Sequence, residues 1–128
     1  MKHQTIGLFA QPLTRINVNV NGVAEFFDSV IKVDGGKSNQ DHHVGDSGLV
    51  HYHNDTNVFR LYDRLADLES EILEGANFVY RDVMNFDSEL GITNAWFNEC
   101  AMGSSQFMHN HCNAVLCGTV YILSLIHI

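Results

Sequence analysis

The residues best suited to chemistry stand in one short stretch, Gln106-Phe107-Met108-His109-Asn110-His111-Cys112-Asn113, which reads as a β-strand. Side chains of a strand alternate between faces and advance roughly 3.3 Å per residue, so His109 and His111 should point the same way with Cα atoms about 6.6 Å apart. Two imidazoles so placed can grip one metal ion, although the same spacing also suits ordinary polar side chains on a sheet face. Phe107 should share their face, with Met108, Asn110 and Cys112 on the other. A second group, His42, His43, His51 and His53 with Asp41 and Asp46, falls in a polar stretch, where His51-Tyr52-His53 repeats the H-x-H spacing. Histidines clustered in a polar loop are expected to be solvated, and an ion held there would be adventitious Zn or Ni.

The elements that must position these groups follow from periodicity. After the turn residue Asn113, residues 114–122 are an almost unbroken run of apolar β-formers, expected as a buried core strand. Residues 93–102 read as the preceding strand, turned into the histidine strand by Gly103-Ser104-Ser105. Further upstream, residues 5–10 read as a first strand. Residues 15–20 alternate Ile16, Val18 and Val20 against Asn17 and Asn19, which predicts a half-buried strand. Asn21 is placed to cap a helix carrying Val23, Phe26, Phe27, Val30 and Ile31 at helical spacing, closed by Asp34-Gly35-Gly36. Residues 37–57 are polar and punctuated by glycine, a long loop with room for a short strand at 49–53. Leu61, Leu65, Leu68, Ile72, Ala76, Val79 and Val83 step by three or four, marking an amphipathic helix over about 58–84. Gly75 weakens its middle without breaking the stripe. Helices before consecutive strands place the chain in the α+β class, with helices buttressing one sheet.

Composition bounds the function. The 128 residues make at most one ordinary domain, with a single core. Fifteen acidic against seven basic residues, and no run of Lys or Arg, leave no electrostatic footprint for nucleic acid, so direct DNA or RNA binding is not expected. No stretch of eighteen consecutive apolar residues and no signal-peptide pattern occur, so a membrane partner is not expected and the cytoplasm is the default location. Cys100, Cys112 and Cys117 are odd in number and form no C-x-x-C, which suits buried, reduced thiols.

The segment from Trp96 to Tyr121 resembles a known family. Trp96-Phe97-Asn98, then His109-x-His111-x-Asn113, then Cys117-Gly118 with Tyr121 beyond are similar to the 2-oxoglutarate/Fe(II)-dependent oxygenases common in phage and marine metagenomic genomes. That family's pattern runs W-hydrophobic-N, H-x-H-x-N and S-G-V-x-Y; Cys117 stands where it usually has Ser. The opening Phe9-Ala10-Gln11-Pro12 also resembles its N-terminal strand. The resemblance implies a double-stranded β-helix, the jelly-roll barrel shared with cupins, whose helices support the larger sheet. It implies Fe(II) held by His109 and His111, 2-oxoglutarate as co-substrate with ascorbate as an accessory reductant, and Asn113 and Tyr121 as pocket residues. Many such oxygenases have Asp at the second position, where this chain has His111. The substrate, small molecule or protein, is not specified, and the setting implied is the cytoplasm of a phage-infected bacterial host.

A barrel of that kind needs roughly eight strands, and only one follows the histidine strand. The last six residues, Leu123-Ser124-Leu125-Ile126-His127-Ile128, resemble a translation of the transposase end sequence used in shotgun library preparation. The expectation is therefore a single incomplete domain over 1–122, with 123–128 an adapter. The third metal ligand and the Arg that pairs with 2-oxoglutarate are expected on strands beyond it. Such a fragment should be inactive alone and should self-associate through the unpaired edge of its last strand. Two alternatives stand beside the oxygenase. A cupin-type binding or isomerase domain also uses H-x-H, but continues with a Glu where Val115 and Leu116 stand. A non-catalytic phage structural or interaction protein is compatible with the acidic surface.

Overall fold

A computed structural model of the chain describes residues 13–34, 37–38 and 47–122. The expected strand at 5–10, the histidines at 42 and 43 and the adapter-like 123–128 lie outside them. The architecture is α+β: helical segments pack on one face of an antiparallel sheet of order β1-β2-β3. These strands are β1 Lys37–Ser38, β2 Ser47–Tyr52 and β3 Phe97–Ser105.

The helix expected from the Val23 periodicity forms as α1 Val23–Phe26, running on into a π-helical turn at Phe27–Ile31. Val23, Phe27 and Ile31 recur every four residues and are its buried stripe. Its cap differs from the expectation. Gly22, at φ 74°, is the N-cap residue, while the Asn21 N–H donates to Asn19 Oδ1 at 3.0 Å. A left-handed backbone there suits glycine, whereas Asn21 is used one residue earlier to shape the turn.

The alternation over 15–20 is real but makes no strand. Val18 and Val20 pack on the core while Asn17 and Asn19 face out, yet the segment is extended chain outside any sheet. It is held against the helical layer instead: the Asn19 N–H donates to Glu71 Oε2 at 2.6 Å. A Cβ built on Gly75 would run into the Ile16 side chain, so the glycine that lowers helix propensity is where this segment packs tightly on the helix.

The long helix over 58–84 is likewise divided. It comprises α2 Val58–Leu61, a 3₁₀ turn at Asp63–Leu65, α3 Ala66–Phe78 and a π-helical turn at Val79–Val83. Tyr62 breaks it, with extended φ −135° and ψ 101°. Its hydroxyl donates to Asp34 Oδ2 at 2.9 Å and accepts from His53 Nε2 at 3.0 Å, tying the break to the end of the first helical layer and to the turn after β2. Asn57 starts α2: its Oδ1 accepts from the Phe59 N–H, and its Nδ2 donates to the Ile92 carbonyl. Asn77 grips the exit loop through the Leu90 N–H at 2.7 Å.

The largest departure concerns which segments make the sheet. The stretch expected as mostly loop supplies the central strand β2, whose short strand was anticipated at 49–53. The histidine segment and residues 114–122, expected as strands, lie outside the sheet. Val115 and Tyr121 are 60% and 83% exposed, so the apolar run is not the buried strand its composition suggested. Gly103-Ser104-Ser105 is not a turn but the irregular end of β3. Two steps along β2, Leu49 to Ser47, match five along β3, Cys100 to Ser105, and Gly103 there adopts φ 81°. Cys100, Cys112 and Cys117 are free thiols but exposed, a correction to the expected burial; for Cys112 and Cys117 it follows from the same change of strands, whereas Cys100 lies in β3.

Period two gives the sheet two different faces. Tyr52 pairs with Phe97 and Val50 with Glu99 on the face that meets the helices. Phe27 stacks on Phe97 at 5.1 Å and meets Tyr52 edge-on at 5.0 Å, inside a core completed by Ile31, Val58, Leu65 and Leu68. Glu99 closes the edge of that face, accepting from Lys32 Nζ at 2.6 Å and from the Tyr52 hydroxyl at 2.8 Å. The opposite face carries His51 and Asn98.

Candidate functional site

His51 and Asn98 are register partners on β2 and β3, and the His51 Nδ1 lies 2.6 Å from Asn98 Oδ1. A carboxamide oxygen only accepts, so Nδ1 carries the proton and the imidazole lone pair is on Nε2. His51 is 5% exposed. Trp96, one step before β3, continues the Asn98 face by the same alternation.

The chain after β3 returns across this face. Residues 106–111 follow β3 outside the sheet, yet they bring Gln106, His109, Asn110 and His111 beside His51, Asn54 and Trp96 around a shallow cleft of about 180 Å³. The His109 and His111 rings meet edge-on with centroids 5.0 Å apart, and His111 lies 5.8 Å from the Trp96 ring. The His109 Nδ1 donates to the Phe107 carbonyl at 2.9 Å, which again puts the ring lone pair on Nε2. The two histidines named from the spacing are thus neighbours, though in a segment that is not a strand. Phe107 and Met108, expected on opposite faces, are both exposed, at 59% and 91%.

Comparisons with family models, curated proteins and solved structures returned no match. The site is therefore read from its own geometry.

Asn113 and Tyr121 do not line the cleft; Asn113 occupies a left-handed turn at φ 67°, and both are exposed. His53, the other half of the second H-x-H, points elsewhere and is engaged by Tyr62. His51, expected to be solvated, is instead buried on the sheet. The short strand expected at 49–53 carries the reason: Leu49-Val50-His51-Tyr52 is a run of β-formers, and a strand there buries a histidine on one face. Trp96 has a further feature. Its Nε1–H is buried and finds no hydrogen-bond partner among the described residues.

As a metal centre the cleft offers part of a donor set. His109 and His111 supply two adjacent imidazoles, the nitrogen donors that iron, zinc and nickel accept. Among the described residues no group of three or more His, Cys, Asp or Glu side chains is arranged to hold a metal ion. A larger surface depression, about 310 Å³, lies between Asn21 and the start of α3 and is lined by Arg64, Asp67 and Glu71. It has the mixed charge of a solvated helix surface and carries no chemistry.

Proposed function

We propose that the protein is a 2-oxoglutarate- and Fe(II)-dependent oxygenase, with His109 and His111 as two of its metal ligands and the described sheet as part of a double-stranded β-helix. The observation that supports this reading is the adjacency of the two imidazoles, 5.0 Å between centroids, with His109 oriented by the Phe107 carbonyl through the nitrogen that would not bind metal. Fe(II) held by two histidines and a carboxylate keeps open positions for 2-oxoglutarate and dioxygen, and supplies oxidative decarboxylation to succinate coupled to hydroxylation of a C–H bond. The chain's own residues would orient that chemistry: the Phe107 carbonyl sets the His109 ring, and Trp96 forms a wall beside His111. 2-oxoglutarate would be the co-substrate, with ascorbate as accessory reductant.

The test is Fe(II) binding, measured anaerobically by calorimetry on the full-length protein. His109→Ala and His111→Ala should each abolish stoichiometric binding, and His53→Ala should leave it unchanged. If His53 proved necessary and the 109/111 pair dispensable, the metal would belong to another site and the oxygenase reading would fall.

A further inference from the structure

The cleft has a chemical character beyond its two adjacent imidazoles. Its walls are an indole, three imidazoles and the carboxamides of Asn54, Gln106 and Asn110, with no Asp, Glu, Lys or Arg among them. Carboxamides present donors and acceptors side by side, the complement of a heterocycle edge, and an indole presents a flat stacking surface. A wall without Lys or Arg offers little to neutralise a phosphate, and a chain of net charge −8 repels one. At about 180 Å³ the cleft is smaller than pockets that take drug-sized ligands, which begin near ~300 Å³. One or two fused rings fit it.

We propose that this cleft binds a neutral, planar, hydrogen-bonding heterocycle of the nucleobase class. The inference names a substrate class for the site proposed above and rests on that reading only for the reaction, because the binding itself needs no metal. His51, held by Asn98, forms the rigid floor on the sheet; Trp96 supplies the stacking face; Gln106 and Asn110 read the edge.

Trp96 is the only tryptophan in the chain, so its fluorescence reports on this cleft directly. The 128-residue chain, in the presence of a chelator, is titrated with uracil and with adenine. Dihydrouracil is a control with the same polar edge but a saturated ring, and uridine monophosphate is a control that adds charge. Saturable quenching by uracil or adenine is expected, with weaker binding of both controls. Gln106→Ala combined with Asn110→Ala should weaken binding about tenfold, as loss of two hydrogen-bonding partners does. Trp96→Phe, followed by equilibrium dialysis, should bind more weakly as well. Circular dichroism confirms that each variant retains the fold. Absence of saturable binding by both bases, equal binding of dihydrouracil, or variants that bind like the parent would overturn the proposal. Base binding without stoichiometric Fe(II) binding would leave this inference standing and sink the oxygenase; the reverse outcome would do the opposite.

Discussion

His51 and Asn98 face each other across β2 and β3, joined by a 2.6 Å hydrogen bond from the imidazole Nδ1 to the carboxamide oxygen. The bond joins the two strands on the face away from the helices and fixes the ring that floors the cleft. It also explains how a histidine 5% exposed is tolerated there: burying a polar group costs little when a partner meets it.

Asn98→Ala should therefore destabilise the protein by about 1–3 kcal/mol, because it removes the acceptor and leaves a buried donor behind. Urea unfolding of the parent, Asn98→Ala, His51→Ala and the double variant forms a cycle. A coupling of at least ~0.5 kcal/mol is expected, and strict additivity would show that the bond contributes nothing.

Leu65 and Leu61 separate two views of the divided helix. An unbroken helix over 58–84 would set both on one stripe, but the break at Tyr62 leaves Leu65 1% exposed and Leu61 50% exposed. Leu65→Ala should cost about 2–5 kcal/mol and Leu61→Ala less than about 1 kcal/mol, read from chemical denaturation. Equal losses would mean that the helix runs straight through residue 62.

Alkaline pH should weaken the fold. Burial, aided by the hydrogen bond to Asp34, pushes the Tyr62 hydroxyl from 10.0 up to about 12. The Lys32 ammonium is also held above its ordinary 10.5, chiefly by its hydrogen bond to Glu99. In both cases the unfolded chain loses its proton first. The associated stability is complete below about pH 10 and is lost as pH rises through the folded-state values. Denaturation midpoints should fall between pH 10 and about 12, and Tyr62→Phe should flatten part of that fall. A midpoint indifferent to pH in this window would show that neither group is tied as described.

Local periodicity by itself determined the helical stripes of Val23, Phe27 and Ile31 and of Leu65 and Leu68, because a face that buries apolar groups every three or four residues has few other uses. It also determined the α+β class, and spacing alone brought His109 and His111 into one short segment. Which segments pair as strands was decided only in the tertiary structure. The run at 114–122 has stronger β-formers than Ser47–Tyr52, yet the weaker segment became the central strand, since its Tyr52 and Val50 meet Phe97 and the helices while His51 finds Asn98. A strand is stabilised by its cross-strand and facing partners rather than by its own composition. No local signal contains those partners, and for that reason the cleft joining His51, Trp96 and the two later histidines could be seen only once the chain was folded.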